Sequence, residues 1–261
     1  MQGVKHFYYI KCWPYLQSGK LFLFCELRNF LAHSTKLCYC VRKERTGYAM
    51  GKSILFDLDG TITDSGEGII NCALLTLEHF GLPLPTREEL RFFVGPPLTG
   101  SFLKLGIPED QVVEAIRYYR SHYTVTGIHQ NCVYPGIEEL LQSLQAQGHK
   151  LYVATSKPEF MAKQILEGFG LAKYFAQICG ATTDTQRNSK EAVIAYLMDC
   201  NKDAENYIMV GDTIFDVEGA ACLGIPTIGV SWGYGNVADM TAAGALAIAE
   251  STEELYELLN K

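Results

Sequence analysis

The chain has 261 residues, 48% of them hydrophobic and 20% charged, which is enough apolar material for a sizeable core. No apolar run is long enough to span a bilayer, and a net charge of −7 argues against nucleic acid as the main partner. The nine cysteines, an odd number without paired zinc-ligand spacing, read as free thiols in a reducing cytoplasm.

The charge is unevenly spread. Residues 1–49 carry eight Lys/Arg against two Asp/Glu, a net +6, whereas residues 50–261 carry 14 against 27, a net −13. The first stretch is rich in Phe, Tyr and Cys, shows no sustained period, and contains the close cysteine pair Cys38 and Cys40. Its Leu21-Phe22-Leu23-Phe24 run is too short for a signal-peptide core. It reads as a dispensable N-terminal extension, with a basic tail for an acidic surface as the alternative. Met50-Gly51-Lys52 stands where the main domain begins.

The apolar run Ile54-Leu55-Phe56 predicts a buried strand that ends in two aspartates, Asp57 and Asp59, followed by Gly60 and Thr61. Buried charge is costly unless paired or bound to a metal, so packing alone does not explain these carboxylates. Asp64-Ser65 caps a helix with Ile69, Ile70, Ala73, Leu74, Leu77 and Phe80 at helical spacing, closed by Gly81. A second helix is expected near Thr86, a break at Gly95-Pro96-Pro97-Leu98, and another helix from about Glu109 to Tyr123. Residues 64–133 thus read as an all-helical cap inserted into a core formed by residues 50–63 and 134–261.

Alternation resumes at Tyr134-Pro135-Gly136. Strands are expected at Leu151-Tyr152-Val153-Ala154, near 177–180, at Tyr207-Ile208-Met209-Val210 and at Thr227-Ile228-Gly229-Val230, with helices between them and a final helix carrying Leu255, Leu258 and Leu259. This order predicts an α/β fold, a doubly wound parallel sheet with helices on both faces.

Three of these strands end in residues useful to chemistry: Asp57 and Asp59, Thr155 and Ser156, and Asp212 with Asp216. In a doubly wound sheet those ends share one edge, where open α/β folds hold ligands. Carboxylates converging there repel one another unless a cation neutralises them, and an oxygen-only ligand set suits Mg²⁺. Lys190, at the start of a helix, can reach the same edge and balance the acids. Lys157 is either a phosphate contact or a surface lysine. Arg117, Arg120, Tyr123 and Arg187 are either substrate readers or solvated residues.

Asp57-Leu58-Asp59-Gly60-Thr61, then Thr155, then Lys190, then Gly211-Asp212 and Asp216, resembles the four ordered motifs of the haloacid dehalogenase superfamily across about residues 50–261. Gly95-Pro96-Pro97-Leu98, Thr155-Ser156-Lys157-Pro158 and Trp232-Gly233-Tyr234-Gly235 resemble its phosphoglycolate phosphatase and 5′-nucleotidase-like branch. The resemblance implies a Rossmann-like core with a helical cap and a Mg²⁺-dependent phosphatase working through an aspartyl-phosphate. It implies Asp57 as nucleophile and Asp59 as general acid and base. Thr155, Ser156 and Lys190 would bind the phosphate. The metal ligands would be Asp57, Asp212, Asp216 and Asp59, the last through its backbone carbonyl.

Carbon–halogen hydrolases of that superfamily lack an acid equivalent to Asp59, and its transport ATPases need membrane helices. A sugar phosphomutase and a non-catalytic binding module remain as alternatives. The implied partner is a small phosphorylated metabolite, with no nucleic acid or membrane, and the implied state a cytoplasmic monomer or homodimer.

Overall fold

In the computed structural model the described residues are 9–17, 20–28, 35–39, 51–183 and 186–261. The chain divides into two compact units, Met1–Ala49 and Met50–Lys261. In the first, β1 (Tyr9–Gln17), β2 (Lys20–Arg28) and β3 (Thr35–Tyr39) pair in that order as an antiparallel meander. Strands form here although the sequence shows no sustained period, in keeping with the preference of Phe and Tyr for extended backbone. Cys40 and Met50 lie outside the described residues.

The second unit is built on β4 (Ser53–Phe56), β7 (Lys150–Pro158), β8 (Gln177–Ala181), β9 (Tyr207–Gly211), β10 (Thr227–Val230) and β11 (Ala247–Ala249), once β5 (Thr63–Asp64) and β6 (Cys132–Val133) are numbered in chain order. The six form one sheet, in the order β11-β10-β9-β4-β7-β8, and every pairing is parallel. Alternate residues feed two cores. Ile54, Phe56, Leu151, Val153, Ile208 and Val210 belong to one. Leu55, Tyr152, Ala154 and Met209 belong to the other. A strand buried on both faces reads as an unbroken apolar run, which is why Ile54-Leu55-Phe56 is legible without alternation.

Between β4 and β7 the chain makes α1 (Gly66–His79), α2 (Leu98–Lys104), α3 (Val112–Tyr123) and α4 (Ile137–Ala146). The two-residue strands β5 and β6 pair antiparallel where the chain leaves and re-enters the core. No helix starts near Thr86. Its backbone N–H and hydroxyl both donate to the Glu89 carboxylate, each at 2.8 Å, and close only a turn. The helix forms instead after Pro97, as α2, because proline suits the start of a helix as well as its end. Phe93, Phe102, Tyr119 and Tyr123 make the aromatic core of this helical insertion, with Tyr119 and Tyr123 stacked at 5.6 Å.

The rest of the unit is α5 (Glu159–Gly168), α6 (Lys190–Cys200), α7 (Ile214–Ala221), α8 (Val237–Ala242) and α9 (Thr252–Asn260). α6 and α7 cover the sheet face that bears Leu55, and α9 packs on the other. Among the described residues no helix is long and apolar enough to cross a membrane.

Candidate active site

Strand order reverses at β4. The chain passes from β4 to β7 and β8 on one side, then returns to β9, β10 and β11 on the other. The crevice at such a switch point, beyond the carboxyl ends of the strands, is where this architecture binds ligands. Asp57 continues the ladder one residue past β4, its N–H donating to Val210 O at 2.9 Å. The N–H groups of Thr61, Ile62 and Thr63 then converge on Leu58 O, closing a tight loop. Gly60 adopts φ +83° in that loop, and a β-carbon there would strike the Asp212 carboxylate at 2.2 Å.

Asp57, Asp212 and Asp216 are buried together, each with a carboxylate oxygen within 4.8 Å of the others. Lys190 balances part of this charge. Its ammonium sits 2.8 Å from Asp57 Oδ1 and 2.7 Å from Asp216 Oδ1, and donates to Ala154 O at 3.0 Å. The lysine reaches them because Ser189 caps α6, accepting from the Ala192 N–H, so that the helix begins at Lys190 under the sheet edge. Thr213 is the N-cap of α7. Asp216 lies three residues on and accepts from the Thr213 N–H and hydroxyl at 3.0 and 2.8 Å.

Asp212 accepts from the Thr61 hydroxyl at 3.1 Å and the Tyr234 N–H at 2.8 Å. Burial pushes its carboxyl up to about 8, and the charges of Asp216 and Asp57 push the same way. Burial pushes Asp57 up to about 6 against the pull of Lys190. Burial lowers Lys190, but Asp216 and Asp57 outweigh it and hold the ammonium charged. Three buried carboxyl groups thus share one ammonium, an excess of negative charge that a divalent cation relieves. The donors are all oxygen, and Gly60 and Gly233 leave room around Asp212 that a side chain would fill. The set fits a hard cation such as Mg²⁺.

Asp59 is held apart from that cluster. Lys157, buried, donates to both of its carboxylate oxygens at 3.0 and 2.9 Å and to the Tyr123 hydroxyl at 2.7 Å. Two aspartates separated by one residue therefore have separate counter-ions, Lys190 for Asp57 and Lys157 for Asp59. Thr155 is buried; its hydroxyl accepts from the Lys157 N–H at 3.2 Å and helps to lower the Asp57 carboxyl. Ser156 lies instead on the wall of the cavity between the insertion and the sheet edge, a space of about 500 Å³ also lined by Asp59, Lys157, Phe93, Tyr119 and Arg120.

The alternative readings of the other basic residues separate here. Lys157 is a buried partner of Asp59, and Tyr123 joins it from the insertion. Arg187 is engaged structurally, bonding Gly180 O at 2.8 Å and Glu159 at 2.6 Å. Arg117 pairs with exposed Glu114 at 2.7 Å. The Trp232-Gly233-Tyr234-Gly235 loop wraps the site. Trp232 Nε1 donates to Thr61 O at 3.1 Å, and the Tyr234 hydroxyl bonds the Asp64 carboxylate and accepts from the Gly66 N–H.

The model of the family described as "Haloacid dehalogenase-like hydrolase" matches residues 54–230. A 5′-nucleotidase from Pseudomonas aeruginosa is 41% identical over 73% of this chain and 87% of its own. The tyrosine-protein kinase PtkA of Mycobacterium tuberculosis is also 41% identical, over 79% of this chain and 72% of its own. Among solved structures, a predicted phosphatase from Clostridium acetobutylicum superposes with a TM-score of 0.78 and 41% identity, covering 81% of this chain and 99% of that one.

Proposed function

Because the chain belongs to the haloacid dehalogenase-like hydrolases and is a phosphatase of that family, we propose that it hydrolyses small phosphate monoesters with Mg²⁺ through an aspartyl-phosphate on Asp57. Phosphoglycolate or a nucleoside 5′-monophosphate is the substrate type that the motifs favour. The observation that carries this reading is the separate charge balance of Asp57 and Asp59. A nucleophile and a proton carrier need different environments, and two adjacent carboxylates acquire different roles only when their surroundings differ.

Asp57 attacks phosphorus and the ester oxygen leaves with a proton from the Asp59 carboxyl. Water then attacks the aspartyl-phosphate, and Asp59 takes its proton. The Lys157 pair holds the Asp59 carboxylate in place through both steps. Thr155, Ser156 and Lys190 bind the phosphoryl oxygens, Lys190 as a fixed charge already in place before reaction. A Mg²⁺ held by Asp57, Asp212, Asp216 and the backbone carbonyl of Asp59 would neutralise charge on the transferring group. The helical insertion, 64–133, acts as a cap whose Tyr123 reaches Lys157 and closes the site against water.

The test is release of inorganic phosphate from a panel of phosphoglycolate, nucleoside monophosphates and sugar phosphates, with Mg²⁺ and with EDTA, beside Asp57→Asn. Metal-dependent release that disappears in Asp57→Asn supports the reading. Phosphate retained on an organic product points to the phosphomutase alternative, and phosphate moved onto a tyrosine to a kinase like one of the relatives. No turnover of any kind by folded protein leaves the binding module.

A further inference from the structure

Three cationic side chains line the cavity between the insertion and the sheet edge, and two of them are occupied. Lys157 is held by Asp59 and Tyr123. Arg117 is paired with Glu114. Arg120 is different. Its Nε is buried without a hydrogen-bond partner, and among the described residues its guanidinium has no acceptor at all.

Among the described residues the cavity wall offers it no free carboxylate. Asp59 is the single carboxylate on the cavity wall among the described residues, and Lys157 already takes both of its oxygens. Phe93, Ile116, Tyr119 and Met161 supply apolar surface. A buried N–H without an acceptor is a cost that folded proteins seldom leave unmet, so the missing acceptor belongs to whatever fills the cavity. Arg120 stands three residues before Tyr123 on α3, and Tyr123 touches the lysine that holds Asp59. Residues at that spacing share a helix face. A ligand reaching Arg120 therefore lies along the same wall as the group assigned to protonate the leaving oxygen.

We propose that Arg120 recognises a second anionic group on the alcohol portion of the substrate, so that the preferred esters are those whose alcohol carries a carboxylate or a further phosphate. This rests on the phosphatase reading above for the position of the reacting phosphate. A planar guanidinium binds either anion through paired N–H donors, which neutral sugars and nucleosides cannot accept in the same way.

The experiment measures binding, so that it does not depend on turnover. The full chain with Mg²⁺ is titrated calorimetrically with three unreactive probes: propylphosphonate, 3-phosphonopropionate and propane-1,3-bisphosphonate. The wild type, Arg120→Gln and Arg120→Lys are compared, each first shown folded by its thermal transition. One or both anionic probes are expected to bind about tenfold more tightly than propylphosphonate, the advantage of a charge-assisted pair. In Arg120→Gln that ratio falls to near one, and Arg120→Lys recovers part of it. Which anionic probe gains more distinguishes carboxylate from phosphate. Equal binding of all three probes to the wild type overturns the proposal even if Arg120→Gln does not fold, and so does a preference that survives in Arg120→Gln. Absence of phosphatase turnover beside an Arg120-dependent preference would overturn the catalytic reading and leave the anion site standing.

Discussion

Lys157 and Asp59 form a buried ion pair that joins residues 98 positions apart, the ammonium 2.9 and 3.0 Å from the two carboxylate oxygens and 2.7 Å from the Tyr123 hydroxyl. The pair fixes the direction of the Asp59 carboxylate before substrate arrives. General acid catalysis of this kind contributes about 10²- to 10⁴-fold, and only to leaving groups that need a proton. Lys157→Met should lower kcat on alkyl phosphates by about 10- to 100-fold and on 4-nitrophenyl phosphate by less than about threefold, because nitrophenolate departs unprotonated. Tyr123→Phe should move both in the same direction by less. Equal losses on the two esters would show that Lys157 serves the fold alone.

Lys190 is the sole ammonium among Asp57, Asp212 and Asp216 in the described structure. Removing one partner of a buried pair leaves uncompensated charge and costs about 3–5 kcal/mol. Lys190→Met should therefore lower the unfolding free energy from urea titration by that order, and millimolar Mg²⁺ should restore part of it. Unchanged stability would mean that these carboxylates are not ionised together.

The acidic cluster also sets a pH dependence. A carboxyl whose folded value lies above its unfolded one binds its proton more readily when folded, so stability rises as pH falls through the folded value. With Asp212 at about 8 and Asp57 at about 6, both above the ordinary 3.8, the metal-free protein should gain thermal stability as pH is lowered from ~9 to ~6. Saturating Mg²⁺ should raise the transition temperature most at the upper end of that range, where both groups are ionised. Asp212→Asn should stabilise the metal-free protein at high pH and abolish most of the Mg²⁺ response. A transition temperature flat across this range in EDTA would contradict the burial-driven shifts.

The five cysteines of the second unit are free thiols of two kinds. Burial pushes Cys72 up to about 11 and Cys179 up to about 12, while Cys132, Cys200 and Cys222 are exposed. Alkylation requires thiolate and access. Iodoacetamide near neutral pH should label the three exposed residues within minutes and reach Cys72 and Cys179 only on unfolding, as read by peptide mass spectrometry. Early labelling of Cys179 would show that the second core opens locally.

Residues 1–49 form their own compact unit, and the family model begins at residue 54. A protein of residues 50–261 should keep the thermal transition and the phosphatase activity of the full chain within about twofold, since the groups described around Asp57 belong to the second unit. Loss of folding on truncation would make the extension part of the structure.

The strand ends were legible from sequence for a physical reason. A doubly buried strand must be an unbroken apolar run, so the charge that ends it, Asp57 after Phe56 or Asp212 after Gly211, stands out against its neighbours. Lys190 was legible as a cation near those acids because a helix start places it at the sheet edge. The helix boundaries in the insertion were less legible. Thr86 and Glu89 carry a capping pattern that here closes one turn, and Pro96-Pro97 precedes a helix rather than only breaking one.

Local patterning of this sort determined five of the six strands of the sheet, their order along the chain and the carboxylates at their ends, but not the edge strand β11, because periodicity and caps act over a few residues. The pairing of Lys157 with Asp59 and Tyr123, the wrapping of Asp212 by the loop at Tyr234, and the isolation of Arg120 without an acceptor were decided by tertiary structure alone. Each depends on burial, which removes water as the competing partner. Whether a lysine before a proline meets solvent or a carboxylate 98 residues away is settled only when the insertion folds over the sheet edge.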